Sequence, residues 1–444
     1  MWYLAYNVLL ILASPVILLV MLAKKRCRRG FAERWGFLPA APESGHGPVL
    51  WVHAVSLGEV VAVSPLVRAL HQRFPDYRIL VSTVTETGRE AVEQRLAGIA
   101  QHRYAPLDFP WVVAKVVRRL DPDAFLFVET ELWPNLLRTL GRRGTPAILV
   151  NGRLSSNSFS RYRLVTPLTT QLLDAVTLCL MQSERDAERI VALGAAPKRV
   201  HRVGNIKFDQ PLPDTGLLSR GAVGLSDTET LIVAGSTHPV EEEQLLDCYR
   251  TLCEERPELV LVLAPRHVER APAVDAAVKK QGLQAVRRSS LAEGTTGTSG
   301  RRGPRVIVLD SRGELAGLYR HACLAFVGGT LVPVGGHNLL EPAAWGRPVL
   351  FGPHTDHCAE VAALLLSAGG GLRVTHGAEL AKTIARLLTD RAALDRMGAA
   401  AHRVVAENQG ATGRTLAFIS DLMRERARGR DGVRRPTALA GTTR

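Results

Sequence analysis

Glu59 closes the segment WVHAVSLGEV (Trp51–Val60), in which an apolar run turns through Ser56 and Gly58 into the start of a helix. Backbone N–H groups at a helix N-terminus favour an ionised carboxylate, whereas enclosure against a substrate removes water and raises its pKa. A glutamate poised between these effects could take a proton from a substrate hydroxyl. First-turn glutamates are also ordinary helix punctuation, and the segment alone leaves both readings open.

Similar chemistry recurs at other strand ends. STVTETGRE (Ser82–Glu90) sets Thr83, Thr85, Thr87 and Gly88 at a helix start, suited to an anion or sugar hydroxyls, although N-capping explains Thr85 or Thr87 equally well. In VETELWPN (Val128–Asn135), Glu129 and Glu131 follow an apolar strand, and carboxylates there cost solvation unless something uses them. The second half adds AGSTH (Ala234–His238), APRH (Ala264–His267) and GGTLVPVGGHNLLEP (Gly328–Pro342). Gly335, Gly336, His337 and Asn338 allow close backbone approach to a phosphate, and Glu341 one turn later could accept from both hydroxyls of a ribose. No GxxxxGK[ST] is present, and the acidic clusters DFP (Asp108–Pro110) and DPD (Asp121–Asp123) lack a metal-bridging arrangement. Arginine and backbone donors would then carry a leaving phosphate.

Short apolar runs alternating with helical patterns must position these residues, as in stacked βαβ units. Strands are expected at Val49–Val52, Arg78–Ser82, Ala124–Val128, Ala147–Val150 and Thr177–Met181. A second set is expected at Leu231–Ala234, Leu259–Ala264, Val306–Leu309, Leu324–Val327 and Pro348–Phe351. The pattern implies two doubly wound α/β domains with an active-site cleft between them. The linker falls near DQPLPDTG (Asp209–Gly216), and Ser289–Pro304 reads as a flexible surface loop.

The ends of the chain constrain its partners. Trp2–Ala23 contains no charged side chain and is long enough to cross a bilayer, and it is followed by Lys24, Lys25, Arg26, Arg28 and Arg29. The positive-inside rule then keeps the rest of the chain cytoplasmic. The 444 residues carry 56 Lys and Arg against 42 Asp and Glu, a net charge of +14 that asks for an anionic partner. Nucleic acid is disfavoured because aromatics do not interleave with the basic residues beyond Phe31, Trp35 and Phe37, which suit anionic headgroups. Six scattered cysteines imply neither zinc nor disulfides. Residues 426–444 read as a disordered basic tail.

HAVSLGE, TETG, ETELWPN, NGR (Asn151–Arg153), GNIKFD (Gly204–Asp209), GSTH, APRH and GGHNLLEP fall in the order and approximate spacing of the bacterial Kdo transferases, which the chain resembles from its anchor to about residue 425. Leu57, where valine is expected, is a conservative departure. The resemblance implies a GT-B fold of two Rossmann-like domains after one N-terminal transmembrane helix. Residues 1–24 would be the anchor, 25–212 the acceptor domain and 213–425 the donor domain. It implies inverting transfer of 3-deoxy-D-manno-oct-2-ulosonic acid (Kdo) from CMP-Kdo to the 6′-hydroxyl of the lipid A precursor, at the cytoplasmic face of the inner membrane, with neither metal nor cofactor. Glu59 would be the general base and Glu129 or Glu131 a second essential carboxylate. Ser236, His238, Arg266, His267, Gly336, His337, Asn338, Glu341 and Lys207 would serve CMP-Kdo. Ser56, Gly58, Thr83, Thr85, Thr87, Asn135 and Arg153 would serve the acceptor. Rival readings are a transferase using a UDP-sugar, a sugar-nucleotide epimerase of the same fold, and a tethered lipid-binding protein without catalysis.

Overall fold

The structure is a computed structural model that describes residues 2–23, 28–38, 47–210, 219–291 and 304–433. It divides into two units, Met1–Gln210 with Gln409–Arg444, and Pro211–Asn408. Lys24, Lys25, Arg26 and most of the Ser289–Pro304 loop lie outside the described residues.

The first unit is built on a seven-stranded sheet of β1 (Val49–His53), β2 (Arg78–Thr83), β3 (Ala100–Tyr104), β4 (Ala124–Val128), β5 (Ala147–Gly152), β6 (Val176–Met181) and β7 (Val200–Arg202). Their order is β3-β2-β1-β4-β5-β6-β7, and every pairing is parallel. The second sheet comprises β8 (Thr230–Thr237), β9 (Leu259–Pro265), β10 (Gln284–Arg287), β11 (Arg305–Val308), β12 (Ala322–Val327), β13 (Val349–Phe351) and β14 (Gly371–Arg373). It runs β10-β11-β9-β8-β12-β13-β14, again wholly parallel. Central strands such as β1, β4 and β9 are buried along their whole length, which is why each reads as an unbroken apolar run. In both sheets the order reverses beside the first strand, β1 or β8, the point at which α/β sheets bind ligands beyond their carboxyl ends.

Two boundaries differ from expectation. The second unit ends at Asn408 rather than near residue 425, because the helix Ala411–Val433 returns to the first unit. Ala411, Ile419 and Met423 are buried in the first unit's core, alongside Leu50, Val63 and Leu66. The same helix continues to Val433, so the stretch expected to be disordered from residue 426 is helical for its first eight residues.

The apolar helix Trp2–Ala23 is 22 residues long and exposes Leu4, Leu9, Leu12 and Leu19. Its first two turns dock on the first unit. Tyr6 donates to Asp108 at 2.9 Å, Asn7 and Asn135 exchange amide hydrogen bonds at 3.2 and 2.7 Å, and Arg138 stacks on Tyr3. Just beyond its other end, Arg29 pairs with Glu86 of the same unit. The helix is long and apolar enough to cross a membrane.

Candidate active site

In the first unit β1 ends at His53 and the chain turns through Ala54–Ser56. The turn is pinned by Ala54 N–H to Ser82 O at 2.9 Å and by Val84 N–H to Val55 O at 3.0 Å. The helix Leu57–Arg73 starts there with Ser56 as its extended N-cap. Glu59 reaches back, accepting from Val55 N–H at 2.8 Å and from the Ser56 hydroxyl at 3.1 Å. This resembles the glutamate half of a capping box and gives the residue a structural role. Desolvation nonetheless dominates its ionisation. It outweighs the two hydrogen bonds and, aided by the charges of Glu129 and then Glu131, lifts the carboxyl to about 7. A base of that pKa works at neutral pH. Gly58 is exposed, and a side chain there would meet only the Ser56 hydroxyl at 4.0 Å, so the approach to Glu59 is open.

The two downstream carboxylates differ. Glu129 has left-handed backbone (φ +60°), rare for a residue with a side chain, and pairs with Lys207 at 3.1 Å. Glu131 accepts from the Trp133 indole at 3.0 Å. GNIKFD explains how Lys207 arrives. Asn151, itself at φ +55°, accepts from Ile206 N–H at 3.1 Å, and Asn205 accepts from Lys207 N–H at 3.0 Å. Asp209 then holds Gly410 N–H and Thr412 N–H at the start of the returning helix. Arg153 contributes its carbonyl to the Thr130 hydroxyl.

Other expected acceptor residues serve the fold. Thr83 is fully buried, its hydroxyl engaged by Thr85 O and His102 Nε2, so it cannot meet an acceptor. Thr85 caps the helix Glu86–Arg95 by accepting from Gly88 N–H, and Thr87 lies 3.5 Å from the Thr85 hydroxyl. Asn135 is buried on Asp108 and Asn7, which removes it from the acceptor set. His53 is buried and pushed down to about 4 by desolvation, with Nδ1 on Ser82.

In the second unit the strain sits in GSTH and the two residues after it. Ser236 (φ +56°) and Val240 (φ +71°) both adopt left-handed backbone, at a real cost for a β-branched valine. Glu241, fully buried, holds the turn by accepting from His238, Gly329, Thr330 and Leu331 N–H at 2.8 to 3.1 Å. The turn aligns His238 with His337, their Nε2 atoms 2.8 Å apart and rings stacked, while His267 lies edge-on at 6.3 Å. Burial pushes both His238 and His337 below the usual histidine range, His337 to about 4, with Arg266 adding to the effect. The close Nε2···Nε2 approach requires one ring to donate and the other to accept. Gly336 (φ +82°) abuts Cys358, Thr330 and His354, leaving no room for a Cβ. Asn338 bonds Glu341 at 3.1 Å and caps Leu340 N–H. Arg266 and His267 are exposed beside this cluster.

Sequence reasoning missed Glu241, the Glu242–Arg270 bidentate pair and Asp108. The run Glu241–Glu243 at a helix start was the available signal for the first two, and Asp108 carried none beyond DFP.

Two all-parallel, doubly wound units with carboxylates at the strand ends of one and a histidine–glycine cluster at those of the other define a GT-B-type α/β enzyme. Residues 29–210 match the family model described as 3-Deoxy-D-manno-octulosonic-acid transferase (kdotransferase). The chain is 35% identical over 429 residues to a 3-deoxy-D-manno-octulosonic acid transferase of Haemophilus influenzae, covering 94% of this chain and 98% of the relative. It is 34% identical to the enzyme of that name from Bordetella pertussis, covering 92% and 96%. A UDP-GlcNAc 2-epimerase from Neisseria meningitidis has a similar fold, with a TM-score of 0.59 at 14% identity over 84% of this chain and 100% of that one. The chain belongs to the Kdo transferase family and is a glycosyltransferase.

Proposed function

We propose that the enzyme transfers Kdo from CMP-Kdo to the 6′-hydroxyl of the lipid A precursor, inverting the anomeric centre without a metal ion, with Glu59 as general base. The observation that carries the base assignment is the position of the Glu59 carboxylate at the end of β1, held by only one backbone N–H and one hydroxyl beneath an open approach over Gly58, with burial raising its pKa. In this reading the acceptor oxygen attacks the anomeric carbon of Kdo as its proton passes to Glu59. The bond from that carbon to the phosphate oxygen breaks, and its electron pair leaves with CMP. Arg266, His267 and the His238–His337 pair would bind the phosphate, Ser236 and Gly336 would admit it to the backbone, and Glu341, oriented by Asn338, would accept from the ribose hydroxyls. Lys207, held against Glu129, would meet the donor phosphate or the sugar carboxylate. Ser56, Gly58 and Arg153 would flank the acceptor hydroxyl. The apolar Trp2–Ala23 helix and its basic flank would place the catalytic units on the cytoplasmic face of the inner membrane, against anionic lipid.

The test supplies lipid A precursor with labelled CMP-Kdo or labelled UDP-hexoses. Label should pass only from CMP-Kdo, and transfer from a UDP-hexose instead would overturn the donor assignment. Glu59→Gln should fold, bind CMP-Kdo and be inactive, and substantial residual turnover removes Glu59 from the base role.

A further inference from the structure

Next to the carboxylate loop the first unit has an open apolar cavity of about 390 Å³. This lies in the range of roughly 300–1,000 Å³ usual for small-ligand sites. Leu132 and Trp133, the residues immediately after Glu131, form part of its wall, and Tyr6 of the apolar N-terminal helix forms another part. The polar side chains in the wall are already satisfied by protein. Tyr6 donates to Asp108, Trp133 to Glu131, Tyr162 to Thr130 O, and Thr169 to carbonyls of its own and the preceding helix. Asp108 also accepts from Asn135 and Leu136 N–H. What remains for a guest is apolar surface, and hydrogen-bonding ligands have nothing to answer them.

The surroundings favour a guest with a charged head. Tyr162 sits on the helix Ser156–Leu164, none of whose residues is buried. Its neighbours Arg161 and Arg163 are exposed and form no ion pair among the described residues, Arg163 resting over the Phe159 ring, and Leu164 is 83% exposed. The wall residue Tyr6 belongs to the Trp2–Ala23 helix, which exposes Leu4, Leu9, Leu12 and Leu19. An apolar cavity that takes part of its wall from the apolar N-terminal helix, with exposed arginines flanking its wall residue Tyr162 in sequence, matches an acyl chain on a phosphorylated head.

We propose that this cavity is a subsite for one acyl chain of the phosphorylated lipid acceptor, with Arg161 and Arg163 against a head-group phosphate. The identity of that lipid rests on the proposed function, but the cavity's preference for an acyl chain does not. The N-terminal helix is then part of the acceptor site as well as an anchor.

The experiment uses the full chain in detergent and has two arms. In the first, phosphatidic acid with a photoactivatable diazirine in one acyl chain is cross-linked to the protein. Label should fall on peptides containing Leu132–Pro134 and Tyr162–Leu172, and Leu168→Trp, which fills the cavity, should abolish it. Label confined to Trp2–Ala23, as from lipid merely solvating the anchor, or label unchanged in Leu168→Trp, overturns the proposal. This arm requires no turnover, so it stands if the Kdo reading fails. In the second arm Kdo transfer is measured with acceptors of full and shortened acyl chains. Leu168→Trp should raise KM for the full-length acceptor roughly tenfold or more, because several methylenes lose their burial. KM for the shortened acceptor and for CMP-Kdo should stay level. Leu168→Ala, the safer substitution for folding, should shift the preferred chain length upward. Equal changes for both acceptors would overturn the subsite.

Discussion

Glu59 and Glu241 occupy equivalent positions in the two units. Each sits in the first turn of the helix that follows the first strand of its sheet, each reaches back to a backbone N–H of the preceding turn, and burial raises the pKa of each. They differ in what surrounds the carboxylate. Glu241 has four backbone donors and no exposure, so its oxygens are saturated and it serves as a pin for the Gly328–Leu331 turn. Glu59 has one backbone donor and one hydroxyl, an open approach over Gly58, and two like charges nearby. Local position in the fold therefore does not decide whether a helix-start glutamate is structural or reactive. The number of donors left over for a substrate does.

Substituting the two residues should separate these roles. Glu59→Gln removes a general base, for which about 10²–10⁴-fold in rate is usual, and should leave the thermal transition in place. Glutamine preserves the acceptor to Val55 N–H, and it removes a carboxylate whose ionised form the fold disfavours. Glu241→Ala should do the reverse in origin. Orphaning buried N–H groups costs on the order of 3 kcal/mol, which at roughly 2–4 °C per kcal/mol lowers the second unit's melting temperature by about 6–12 °C. Calorimetry and kinetics on the same preparations check both. A Glu59→Gln variant that melts early yet turns over, or a Glu241→Ala variant that is inactive but fully stable, would invert the comparison.

The pH profile sharpens it next. Glu59 is a base only when ionised, so kcat should rise with pH through about 7 and level off above. Removing a neighbouring negative charge eases that ionisation, which moves the midpoint down. Glu129→Gln should move it further than Glu131→Gln, since Glu129 acts more strongly on Glu59 and its loss also leaves the Lys207 charge uncompensated. Profiles of the three proteins decide which carboxylate is coupled to the base, and the opposite order would assign that coupling to Glu131.

How much of this was legible beforehand follows from burial. The ten inner strands announced themselves as apolar runs because both faces of a parallel sheet are covered. The four strands that escaped notice, β3, β7, β10 and β14, are the outer strands of the two sheets. AQHRY, VHR, QAVR and GLR need bury little, so no periodicity marks them. At the site, glycines and polar strand ends pointed to the right turns, but the sequence could not say which polar atoms were already engaged. Thr83 and Asn135 read as ligand residues and prove to be internal connectors, while Glu241, which no sequence signal singled out, holds the Gly328–Leu331 turn. Those distinctions depend on pairings between residues up to 128 positions apart, as between Asn7 and Asn135.

Asp209 makes the smallest predicted effect and the cleanest check on the argument about donors. Like Glu241 it is a carboxylate that accepts from helix-start N–H groups far away in sequence, here Gly410 at 2.6 Å and Thr412 at 2.5 Å. Unlike Glu241 it is only partly buried, so water can replace it on those donors. Loss of an N-capping side chain in such a setting costs about 1 kcal/mol. Arg414, which bonds Val203 O at 2.8 Å, still ties the returning helix to the first unit. Asp209→Ala should therefore lower the first unit's melting temperature by only about 2–4 °C and keep Kdo transfer intact. Asp209→Asn, which retains an acceptor oxygen, should recover most of the loss. A drop in Asp209→Ala as large as that in Glu241→Ala would show that seclusion from water does not set what such a carboxylate contributes.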